Sequence, residues 1–190
     1  MAVGWGAPDG LLAVRELTMT AAMHTAYLLS VWLHLLGAIV WIGGMLFLVM
    51  IVVPYLRTGD RLQAAMLMRA TGRRFRNVAW GTFALLFATG LFNLWMRGVR
   101  PGDFLRADWL ASPFGHAVVL KLLLFALVIA ISAVHDFHYG PRATAAAQHD
   151  PRGAEAERLR RVASYLGRIN VLAALLLVAL GVVLVRGWPW

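Results

Sequence analysis

The sequence predicts an all-α integral membrane protein, a four-helix bundle with both termini on the outer (periplasmic) side. Three observations carry that prediction. Of 190 residues, 61% are hydrophobic and the mean hydropathy is +0.70, above the roughly 45–50% apolar content of soluble domains. The excess is gathered into four runs, about 26–54, 78–97, 115–139 and 165–186, each near or above the ~20 residues that span a bilayer. The 17 arginines are unevenly shared between the connections. Six lie from Arg57 to Arg76 and six from Arg142 to Arg168, against only five (Arg15, Arg97, Arg100, Arg106, Arg186) on the opposite side. Basic residues mark cytoplasmic loops, so the two arginine-rich connections face inward and both termini outward.

Each element follows in order. Residues 1–25 form an outer segment with a candidate interfacial helix over 10–23. It lacks a basic start, and the apolar run after it is too long for a signal core. The transmembrane domain covers 26–186, and the run 26–54 has residues to spare for tilt. The stretch 57–76 alternates Arg61, Arg69, Arg73 and Arg76 with Leu62, Ala65, Met66 and Phe75, the pattern of an amphipathic helix on the inner membrane surface. The second span is followed by an outer loop and the third span. The segment 140–158, with two prolines, two glycines and many small residues, predicts a flexible cytoplasmic linker. The fourth span ends in an outer tail, 187–190. Trp5, Trp109, Trp188 and Trp190 then fall at the outer interface, as an aromatic belt requires.

Composition also excludes functions. There is no cysteine, so disulfides, thiolate metal sites and cysteine catalysis are out. The net charge of +9 does not point to nucleic acid, because the arginines flank apolar runs and no recognition motif accompanies them. No nucleophile–base pair, phosphate loop or paired intramembrane carboxylates suggests a hydrolase or transferase.

Polar groups are costly in hydrocarbon, so each should face a helix, a ligand or water. In the first span His34, Gly37, Ala38, Trp41, Gly44 and Met45 share one helical face. Its small residues permit close approach of another helix or a flat ligand. Thr82, Thr89, Asn93 and Met96 form a seam in the second span. Lys121, Ser132, His135 and Tyr139 share a face in the third, with Asp136 and His138 to either side. Asn170, Ala174 and Gly181 align in the fourth. Depth divides these groups into two layers. His34, Asn93, Met96, His116 and Lys121 lie in the outer half, while His135, Asp136, His138, Arg168 and Asn170 lie toward the cytoplasm. Lys121 and His135 are about 21 Å apart along one helix, so no single ion bridges the layers. Outside the spans, Met19, Met23 and His24 recur at helical spacing, and thioether with imidazole suits Cu(I).

Read together, these residues resemble a known family. His34, Trp41 and Gly44 give H-x6-W-x2-G. "RRFRNVAWGTFALLFATGLFNL" (73–94), "KLLLFALVIAISAVHDFHYGPR" (121–142) and "RIN" (168–170) follow in order. The pattern, over about 28–186, resembles the four-helix core shared by CopD-type copper-resistance proteins and HemJ-type protoporphyrinogen oxidases. The resemblance implies that His34 is the family's first-span histidine and that Lys121 and His135 match its third-span pair. HemJ-type chains have Asn-Glu-x-Pro opening the last span, whereas this one reads Asn170-Val171-Leu172-Ala173. They also have a second histidine where this chain has Pro54-Tyr55. The "HDFHYGPR" ending of the third span is closer to the CopD type.

The expected function is therefore that of a CopD-like, multi-pass protein of the bacterial inner membrane that binds or transports copper. His34, His116 and His135 are the candidate metal ligands, and Met19, Met23, His24 and Met96 a candidate outer entry. The alternative is a haem b redox protein of HemJ type, with a histidine as axial ligand and Lys121 or Arg168 pairing a propionate or substrate anion. In both, Gly37, Trp41, Gly44, Asn93 and Asn170 would face the ligand. A cofactor-free accessory subunit of a larger membrane complex is a third reading. Expected partners are membrane lipid and a periplasmic copper protein or such a complex.

Overall fold

The structure is a computed structural model and describes residues 8–59 and 61–187. Its described residues are helical almost throughout. Four stretches are long and apolar enough to cross a membrane: Met19–Leu56, Met66–Met96, Pro113–His149 and Ala154–Arg186. They are built from α1 (Pro8–Phe47), α2 (Val53–Arg57), α3 (Arg61–Met96), α5 (Pro113–Val134), α6 (Gly140–His149) and α7 (Ala154–Arg186). A 3-10 turn (Pro101–Leu105) and the one-turn α4 (Ala107–Leu110) fill the connection between α3 and α5.

The helices outrun the apolar runs that predict them. α1 continues without a break through 10–23, so no separate interfacial helix forms there. α3 carries the arginine-rich 61–76 stretch into the second span as one helix of 36 residues; no proline interrupts it, and an isolated glycine such as Gly72 is tolerated inside a helix. The expected flexible linker is largely α6, and the chain leaves helix only at 150–153 before α7. Pro141 occupies the first turn of α6, where a missing N–H costs nothing. Trp5, Trp188 and Trp190 lie outside the described residues. Trp109 packs between the Phe104 and Phe114 rings, at 5.1 and 6.4 Å.

Two π-helical turns, Leu48–Val52 and His135–Tyr139, interrupt the first and third spans near their arginine-rich ends. Both have the same cause. A proline follows two residues after each turn, at Pro54 and Pro141, and its ring would collide with the carbonyl four residues back. The residue before each proline therefore bonds five residues back, Val53 N–H to Leu48 O and Gly140 N–H to His135 O. Such turns recur at functional sites.

α1 packs chiefly on α3, α5 on α7, and α6 on both α3 and α7. The core joins Trp41 and Met45 of α1, Phe83 and Leu86 of α3, Val128 of α5 and Ala173, Ala174 and Leu177 of α7. Alanines let the backbones approach, as membrane helix packing requires in the absence of a hydrophobic driving force between helices. The Phe83 ring ties three helices together edge-on. It meets Trp41 at 5.0 Å, Trp80 at 5.6 Å and Phe125 at 6.1 Å, distances at which aromatic pairs attract. The outward face of α1 presents Leu28, Leu29, Trp32, Leu35 and Ile39, the surface expected against lipid.

Candidate functional site

His34, half-buried, is fixed by two bonds from α1 to a single residue of α3. Its Nδ1 lies 2.8 Å from Thr89 Oγ1, and Ser30, one turn earlier, donates to the Thr89 carbonyl at 3.4 Å. The Thr89 hydroxyl has one proton, and it goes to the Leu85 carbonyl at 2.6 Å. Thr89 Oγ1 can therefore only accept from His34. When the imidazole is neutral, Nδ1 therefore carries the ring proton and Nε2 the lone pair, and the Leu86 carbonyl also lies within hydrogen-bonding reach of the ring. Second-sphere bonding of this kind orients metal-ligating histidines.

The surroundings of His34 are close and cationic. A side chain at Gly90 would touch its Cε1 at 3.4 Å. Lys121, from α5, is near enough for its charge to act on the imidazole, and Arg97 is near enough to act on Lys121. The Lys121 Nζ lies 3.4 Å from where a Cβ on Gly181 of α7 would stand. Among the described residues Lys121 has no ion pair. Arg97 is engaged, donating to the Leu184 carbonyl at 3.0 Å and lying over the Phe114 ring. Asn93 adds a shielded Oδ1 with no partner among the described residues. His116 is on the first turn of α5 with its side chain exposed.

The glycine face of α1 is turned to α3. A Cβ at Gly37 would meet Leu86, Thr82 and Leu85 at 3.4–3.5 Å, and one at Gly44 would run into the Phe75 ring. Trp41, between them, is 2% exposed in the aromatic core. Of the close approaches this face permits, the structure realises the one with another helix. A flat ligand on His34 would have to lie on a different side.

A second oriented histidine stands at the arginine-rich end. His135 Nδ1 lies 2.9 Å from Asp136 Oδ1, and Asp136 Oδ2 accepts from Trp80 Nε1 at 3.0 Å. Arg76 donates to the Asp136 carbonyl at 3.4 Å and lies over Phe137 at 5.3 Å. A carboxylate only accepts, so His135 too has its proton on Nδ1, and its Nε2 has no hydrogen-bond partner among the described residues. His138, by contrast, has Nε2 occupied by Arg142 at 2.8 Å. Arg168 is exposed and stands apart from both histidines' hydrogen bonds.

Between these layers lies a small buried polar node. Asn170 of α7 donates from Nδ2 to Ser132 Oγ of α5 at 3.0 Å and to Met45 Sδ of α1 at 3.8 Å. Its Oδ1 is shielded, with no partner among the described residues. Met19, Met23 and His24 are exposed on the extension of α1, and Met96 is half-buried at the end of α3. Among the described residues no three His, Asp or Glu side chains gather into a metal cluster. An ion at His34 would be held by one imidazole with softer or neutral donors, whereas His135 has the Asp136 carboxylate beside it. The sequence had marked Thr89 and Asp136 by face, but the roles of Ser30, Arg76 and Trp80 are visible only in three dimensions. Outside the spans, the hydrogen bond from Arg106 holds the Asp108 carboxyl below its usual range.

Comparison with known proteins gives two likenesses. The profile of the family described as Copper resistance protein D (CopD) matches residues 69–185, which takes in Asn93, Lys121, His135 and Asn170 but begins after His34. An uncharacterized protein of Aquifex aeolicus (strain VF5) is 34% identical over 159 residues, 81% of this chain and 92% of that protein. No solved structure matches the chain.

Proposed function

Because the chain belongs to the copper resistance protein D family, we propose that it handles copper in the bacterial inner membrane, with His34 as the intramembrane ligand. The observation that carries this reading is the anchoring of His34, whose Nδ1 is bound to Thr89 across the α1–α3 contact, as a metal-ligating histidine is oriented by its other ring nitrogen. The neighbouring Lys121 charge selects the oxidation state. A divalent ion beside an ammonium with no carboxylate near is opposed more strongly than a monovalent one, and Cu(I) tolerates few, soft ligands. The arginine-rich connections would face the cytoplasm, so His34 lies toward the periplasmic side, where a periplasmic copper protein could deliver the ion.

Loading purified protein with Cu(I) and counting retained metal tests this. Retention of copper by the wild type and its loss in His34→Ala is expected; no retained copper, or equal retention in the variant, overturns it.

One observation favours a second reading. Lys121 stands close to His34 with no counter-charge among the described residues, as a group pairing the propionate of a haem on His34 would. An absorption spectrum separates the two: a Soret band lost with His34→Ala supports haem, and a colourless protein that retains copper supports the first reading.

A further inference from the structure

We propose that the groove between the first turn of α5 and the last turn of α7 binds one anionic phospholipid, with its phosphate on Arg97. The groove is a half-open cavity of about 370 Å³, within the size range of ligand sites. Phe114 and Ala117 form its α5 wall, Val183 and Leu184 its α7 wall, and Ser112 and Gly187 lie toward the arginine-poor end. Its one hydroxyl, that of Ser112, is already used. It donates to the Trp109 carbonyl at 2.6 Å and accepts from the Gly115 N–H at 3.0 Å. The walls therefore offer apolar surface only.

Charge identifies what such a groove takes. The Arg97 guanidinium lies over the Phe114 ring at 5.9 Å and donates from Nη1 to the Leu184 carbonyl at 3.0 Å. It is thus fixed by both walls. A guanidinium has five N–H donors, and Arg97 is exposed, so donors remain for a second acceptor. Arg186, also exposed, stands in the last turn of α7, one residue before Gly187. Neither arginine has an ion pair among the described residues, and the carboxylates of the α3–α5 connection, Asp103 and Asp108, are both held by Arg106. Lys121 is one turn deeper, on the same α5 stripe as Ala117. The result is a set of cations without carboxylates beside apolar walls, at the level where the spans end. That combination matches the phosphate and upper acyl chain of a lipid, since guanidinium suits phosphate. A soluble anion would leave the apolar walls unused.

Native mass spectrometry of the full-length protein in detergent, titrated with phosphatidylglycerol or with zwitterionic phosphatidylcholine, tests the site. One phosphatidylglycerol per chain is expected to bind about fivefold more tightly than phosphatidylcholine, the worth of one basic side chain at an anionic lipid surface. Arg97→Gln should abolish that preference. Val183→Phe, which fills the groove without changing charge, should weaken both lipids. Arg106→Gln removes the same charge from an arginine already paired and should keep the preference. Equal loss in Arg97→Gln and Arg106→Gln, no preference in the wild type, or binding untouched by Val183→Phe overturns the site. Displacement of the lipid by inorganic phosphate would make the occupant a free anion, and a dimer lost with Val183→Phe would make it a second copy; either overturns the lipid. No copper enters the assay, so the His34 reading stands or falls separately.

Discussion

Replacing Thr89 by valine isolates the bond that orients His34. Valine keeps the shape but removes the hydroxyl oxygen that lies 2.8 Å from Nδ1. The Thr89 hydroxyl's own bond to Leu85 is lost with it, at little cost, since that carbonyl belongs to the helix. Side-chain hydrogen bonds between membrane helices average about 0.6 kcal/mol and reach about 1.7 kcal/mol, so unfolding in detergent should shift by no more than that. The effect on ligand binding should be larger. With the acceptor gone the ring can turn and place its proton on either nitrogen, and loss of such an orienting partner typically lowers metal affinity about 10–100-fold. Cu(I) titration against a competing chelator measures the affinity, and nitrogen NMR on labelled histidine reads the tautomer. A variant with unchanged copper affinity and unchanged stability would refute the reasoning, as would a wild-type His34 with its proton on Nε2.

Other perturbations test separate parts of the structure. Gly44→Ala drives a Cβ into the Phe75 ring while Gly43 faces open space, so Gly44→Ala should cost about 1–3 kcal/mol and Gly43→Ala almost nothing in the same denaturation assay. Phe83→Ala removes the ring shared by Trp41, Trp80 and Phe125 and should destabilise by about 3–5 kcal/mol. Trp80→Phe keeps the stack but deletes the donor to Asp136; a bond to a charged group is worth about 1.5–3 kcal/mol, and an unaltered midpoint would show that Asp136 does not depend on it. Because the chain has no cysteine, single cysteines report sidedness. Asp108→Cys should react with an impermeant thiol reagent in intact cells and Asp150→Cys only after permeabilisation, the reverse pattern refuting the orientation.

The spans were legible because each apolar run exceeds what a soluble helix needs, and run length is a local property. Their true ends were not. The arginines of 61–76 suggested a surface segment, yet helix continues through them, since charge does not stop a helix. The glycines and prolines of 140–158 suggested a linker, although Pro141 sits in a first turn and only 150–153 breaks. The periodicity of α1 showed which residues share a face with His34, but not that Leu86 and Phe75 of α3 fill the Gly37 and Gly44 positions. The tautomer of His34 was also hidden, because it depends on Thr89, 55 residues away. The π-helical turns have a local cause in Pro54 and Pro141, a signal the sequence did carry.

The most direct test of the central claim is nitrogen NMR of His34 as Cu(I) is added to the purified, histidine-labelled protein. Movement of the Nε2 resonance on binding, with the Nδ1 proton retained against Thr89, is the expected result. An Nε2 resonance that stays in place while copper binds elsewhere would contradict the assignment of His34 as the ligand.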